Sequence, residues 1–184
     1  MANGICKNLR IKIFHSFKYF SQAFIDQNCI FLNPDMISKP VLRELINLRL
    51  RDAEALFEKR RYHSSIYMAR YAIEIALKYK ICKMYFFTKG FPETKAEFEL
   101  YYPAKGSKKN LRQVIKKIQE IRHHDLSKLL FYSGSEVKIK LTLLNEWNLI
   151  ANWNPEMRYK PNTTKKAEAV IKLAAVKSIL KEIL

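Results

Sequence analysis

HSSIYMARYAIEIALKYKICKMYFF, residues 63–87, is the stretch that decides the fold. Ser65, Ala69, Ala72 and Ala76 recur at three- and four-residue spacing, so one side of a helix carries only small side chains. Such a stripe lets a neighbouring helix approach closely, and Ile66, Ile73, Leu77 and Ile81 supply bulk beside it. Arg70, Glu74 and Lys78 stack at four-residue intervals with Glu ahead of Lys, the order expected of a solvated helix ladder. Gly90-Phe91-Pro92 stops the helix.

Outward from this segment the same periodicity recurs. Pro40 suits a first helical turn, and Val41, Leu42, Leu45, Ile46, Leu48, Ala53, Leu56 and Phe57 mark a helix from there to Lys59. Residues 93–107 read as a loop. Helices are expected over 110–121, 125–132 and 136–150, the last two separated by Ser133-Gly134-Ser135. Residues 152–161 form another loop. Thr163 or Thr164 then caps a final helix whose apolar face is Ala167, Val170, Ile171, Ala174, Lys177 or Ser178, and Leu180. Before all of these, residues 7–26 read as an aromatic amphipathic helix bearing Phe14, Phe17, Tyr19, Phe20 and Phe24. No strand pattern and no repeat emerges. The expectation is an all-α chain: an N-terminal extension, residues 1–37, and an antiparallel bundle of four to five helices, residues 38–184.

Composition agrees. Only four glycines and six prolines interrupt 184 residues, 48% of which are hydrophobic, enough for one packed domain. Thirty-four basic residues against seventeen acidic ones leave a net charge of +17. That excess either draws polyanionic partners or is a solvated lysine-rich surface. It is densest over residues 102–122, where Lys105, Lys108, Lys109, Arg112, Lys116, Lys117 and Arg122 face only Glu120. With Tyr101 and Tyr102 beside them, these residues suit a phosphate track with stacking side chains. Cys6, Cys29 and Cys82 are odd in number and widely spaced, which argues against a disulfide framework and a structural zinc. Lys7, Arg10, Lys12 and Lys18 break the early apolar residues, so neither a signal peptide nor a membrane span is expected, and the location expected is cytoplasmic. Phosphate loops, nucleophile elbows and zinc-helix motifs are missing from the sequence, so no cofactor or metal is called for.

Three features resemble the HEPN family of small helical proteins. The alanine-rich helix with Ala69, Ala72, Glu74, Ala76, Leu77 and Lys78 is similar to the family's helix ending in a Glu…Leu-Lys pattern. His124-Asp125-Leu126, followed by Leu129, is similar to its His-Asp-Leu motif, and Arg158-Tyr159-x-Pro161 to its Arg-Tyr-Pro loop. The resemblance covers residues 38–184. It implies a four- or five-helix bundle, frequent homodimers, and work on RNA or nucleotides. It also implies a nucleotidyltransferase or other protein partner in defence or toxin–antitoxin systems. A subset of the family are metal-independent endoribonucleases that use Arg-x4–6-His. The core here lacks that pair, and its only formal match, Arg10 to His15, lies in the extension. Residues 93–122 and the aromatic helix are additions to the common pattern.

The candidate catalytic residues are therefore His124 and Arg158. His124 can shuttle a proton near neutrality or can simply open a helix beside Asp125. Arg158 has the fork for a phosphate, and Tyr159 can stack on a base; a bridge to Asp125 or Glu156 is the structural alternative. Three functions are open: a HEPN-like nucleic-acid- or nucleotide-binding protein, a HEPN ribonuclease with a variant site, and a non-catalytic scaffold subunit.

Overall fold

Ser38 sets an extended entry and Pro40 occupies the first turn of α1, Lys39–Glu58. The computed structural model describes residues 36–103, 109–121, 125–151 and 164–184, which all fall within one unit, residues 34–184. The aromatic segment 7–26 lies outside the described residues.

α1 ends without a glycine. Arg60 takes the left-handed conformation (φ +58°), its amide donating to Phe57 O, while the Arg61 amide donates to Leu56 O. This paired closure satisfies the last carbonyls and reverses the chain into α2, Tyr62–Met84. Phe86 (φ +56°) repeats the device at the end of α2, with the Phe87 amide donating to Cys82 O.

α2 is the axis of the fold. The small stripe does what its spacing predicts: Ser65, Ala69, Ala72 and Ala76 are fully buried, and the Ser65 hydroxyl donates to Ala53 O at 2.6 Å. The tight connection to α1 and that bond make the pair antiparallel. α8, Lys166–Ile183, runs parallel to α2 on another side. His63 Nδ1 lies 3.4 Å from Thr164 Oγ1 at one end, and Lys80 donates to Ile183 O at the other. α5, Leu126–Tyr132, packs on α2 through Leu126, Leu129 and Leu130. α6, Glu136–Thr142, packs on α7, Leu144–Ala151, which in turn packs on α8. The two remaining helices, α3, Lys95–Glu99, and α4, Lys109–Gln119, pack on each other. Among the described residues there are eight helices and no strand, the all-α bundle expected. No described helix is long and apolar enough to cross a membrane.

Five local expectations are corrected. Residues 93–107 are not simply loop: Thr94 and Glu97 form a reciprocal capping box that nucleates α3. The apolar stretch 136–150 is two helices, because Leu143 leaves helical geometry at φ −137° and splits it. The threonine cap of α8 is not formed; Lys165 is the N-cap, without a side-chain bond, and Thr164 turns to His63. The face of α8 that enters the core is Ala169, Leu173, Val176, Leu180 and Ile183, while Ala167, Val170, Ile171 and Ala174 are exposed. This helix carries two apolar stripes, and contact with α2 and α7 selects between them.

The fifth correction is the largest. Arg70, Glu74 and Lys78 are not a solvated ladder: they are 6%, 1% and 7% exposed. Between Ala72 and Lys78 every residue of α2 is buried, so Glu74 and Lys78 sit within a wholly buried stretch of the helix. The charges of the row compensate one another. Lys78 Nζ lies 3.3 Å from Glu74 and 3.2 Å from Glu93, 5.3 Å from the Phe91 ring centroid. Burial pulls the Arg70 guanidinium below its ordinary pKa, and the Glu74 carboxylate opposes that shift.

Cys82 is a free thiol with no exposed surface. Burial pushes its pKa up to about 12, against smaller opposing pulls from Lys39 and Lys78. Iodoacetamide at mildly alkaline pH should leave Cys82 unmodified in the native protein and modify it in urea, as read by peptide mass mapping. The unfolded thiol titrates near 9.0 and the folded one near 12. Its contribution to stability is therefore intact below about pH 9 and is lost as pH climbs toward 12.

Candidate nucleic-acid interface

The segment that follows α2 builds the platform. Phe87 is fully buried and stacks on Tyr101 with centroids 4.5 Å apart, and Phe98 meets both Phe87 and Phe91 edge-on. This aromatic cluster ties α3 to the end of α2. Tyr101 belongs to it: its hydroxyl donates to Gly90 O at 3.1 Å and accepts from the Lys89 amide at 3.0 Å. Burial raises its pKa. Tyr101 is thus a structural residue, and the expectation that it offers a ring for stacking is corrected.

Tyr102 faces the other way, toward α4. Its hydroxyl donates to Gln119 Oε1 at 2.8 Å, and the Arg112 guanidinium lies 5.0 Å from its ring centroid. α4 is amphipathic, with Ile115 and Ile118 in the core and Arg112 and Lys116 one turn apart on the outer side. Between α3 and α4 this leaves a groove of about 520 Å3, where Lys95, Arg112 and Lys116 meet the carboxylates of Glu99 and Glu120. Arg112 thus packs against Tyr102 while lining the groove, where its N–H groups can take an incoming anion. Among the described residues neither Arg112 nor Lys116 is held in an ion pair.

The basic run is divided by its helix. Arg112 and Lys116 line the α3–α4 groove, whereas Lys117 lines a different groove, shared with α5. Lys109 opens α4. Lys105, Lys108 and Arg122 lie outside the described residues, as do His124, Arg158 and Tyr159. Asp125, next to His124, is the N-cap of α5: its carboxylate accepts from the Lys128 amide at 3.0 Å. Among the described residues no group of three or more His, Cys, Asp or Glu is placed to hold a metal.

Lys95 and Gln119 were not anticipated from sequence. The signal for Lys95 was there, since Thr94-Lys95-Ala96-Glu97 has the spacing of a capping box and predicts a helix start. Gln119 is found only through its contact with Tyr102.

No family model, no curated protein and no solved structure matches the chain.

Proposed function

We propose that this chain is a HEPN-like protein that binds nucleic acid or nucleotides through the groove between α3 and α4. Its setting is proposed to be a dimer or a subunit of a defence or toxin–antitoxin type system, which rests on the resemblance alone. The observation that carries the binding reading is the convergence of Lys95, Arg112 and Lys116, from two helices, on one groove, with Arg112 packed against the Tyr102 ring. Lysines scattered on a surface attract phosphate weakly. A pre-oriented guanidinium loses less entropy per bond when it takes one. The net charge of +17 supports the reading by drawing a polyanion to the surface from a distance.

Binding of a fluorescein-labelled RNA should weaken steeply with salt, because each neutralised phosphate releases counterions. Arg112→Glu with Lys116→Glu should lower affinity by more than about tenfold and flatten the salt slope by about two. Reversal of Lys166 and Lys181, two exposed lysines of α8, should do far less. Equal losses from both pairs would mean diffuse attraction, and the groove would not be the site.

A further inference from the structure

A second groove, about 590 Å3, lies between α4 and α5. Its chemistry differs from that of the first. Phe131 lines it and is 59% exposed, although α5 already fills the core with Leu126, Leu129 and Leu130. Tyr132 meets Phe131 edge-on, with centroids 5.0 Å apart and planes at 89°, which steadies the ring while leaving surface open. Lys117 from α4 and Lys128 from α5 line the same groove. Lys117 makes no ion pair among the described residues, and Lys128 has only a long contact of 3.6 Å to Asp125, with 61% of its side chain exposed. A solvent-facing aromatic ring between lysines of two helices is the combination that takes a base on its face and phosphates on either side.

We infer that the α4–α5 groove holds an unpaired base of single-stranded nucleic acid on Phe131, with the flanking phosphates on Lys117 and Lys128. This rests on the proposed polyanion-binding reading and adds to it the class of ligand. Glu120 lines both grooves, so the two adjoin at that residue. A strand whose backbone lies on Arg112 and Lys116 can therefore pass Glu120 and present its next base to Phe131. A duplex cannot do this, because its bases are paired and stacked inside the helix.

The test is fluorescence anisotropy with three labelled probes: a short oligoadenylate, an abasic strand of equal length, and a duplex RNA. Phe131→Ala and Phe131→Leu should each weaken oligoadenylate binding by about tenfold and leave abasic-strand binding unchanged. Phe131→Trp should bind oligoadenylate at least as tightly as the wild type. Leucine and tryptophan both keep bulk at an exposed position, so this contrast stands even if the alanine variant is poorly folded. Lys117→Ala should weaken both single strands alike. If all three Phe131 variants bind oligoadenylate as the wild type does while the Arg112/Lys116 reversal still loses affinity, the inference is overturned and the α3–α4 reading stands. If the wild type binds none of the probes, both fall.

Discussion

Replacing Lys78 by methionine should destabilise the protein by about 3 kcal/mol, measured as a lower urea midpoint at neutral pH with an unchanged slope. Methionine keeps most of the apolar stem, so the loss isolates the ammonium. That ammonium is shared between two carboxylates at nearly equal distance, 3.3 Å to Glu74 and 3.2 Å to Glu93. Their side chains are 2% and 53% exposed, and burial separates their energetics. Glu93 without its cation is rescued by water, so Glu93→Gln should cost under about 1 kcal/mol. Glu74 has no such rescue; without Lys78, compensation of a buried carboxylate rests more heavily on Arg70. Loss of the cation over the Phe91 ring adds to the cost. If Lys78→Met costs no more than Glu93→Gln, the row on α2 behaves as a solvated ladder and the buried account is wrong.

Gly90→Ala should be comparably severe, at about 3 kcal/mol or more. An alanine Cβ there would stand 2.1 Å from the Ile37 carbonyl oxygen and 2.7 Å from its carbon, and the residue has φ +139°. The obstruction is backbone, and it is the segment that leads into α1, so relief means displacing the helix start. The conformation itself costs a side-chain-bearing residue about 1–3 kcal/mol. Gly134 supplies the control. Its Cβ would meet only the end of the Met84 side chain, 45% exposed and flexible, at φ +70°. Gly134→Ala should therefore cost about 1–2 kcal/mol, the ordinary left-handed penalty. Thermal melts of the two variants side by side decide the point. Equal shifts would show that the approach of Ile37 to Gly90 is not tight.

Part of the candidate interface was legible as a list of cations. Arg112, Lys116 and Lys117 stand out from the local charge, but charge along a sequence does not say which side chains share a groove. A helix separates neighbours by about 100°, so Lys116 and Lys117 serve different grooves although they are adjacent. Phe131 escaped notice because a phenylalanine in an apolar helix reads as core. Only the seating of Leu126, Leu129 and Leu130 against α2 shows that it is left outside.

By itself the sequence determined the all-helical class, the course of α1 and α2, and the small-residue stripe on which they close. Each depends on interactions within a few turns: residue spacing at the helical period and proline at a helix start. Tertiary structure decided what depends on a third body. It chose between the two apolar stripes of α8, because burial belongs to whichever face α2 and α7 cover. It turned Tyr101 into the aromatic cluster and Tyr102 onto Arg112, although the two are consecutive and chemically alike. And it put Arg70, Glu74 and Lys78 inside. A four-residue charge ladder has the same local geometry in water as in a core, and only the surrounding helices set how much water reaches it.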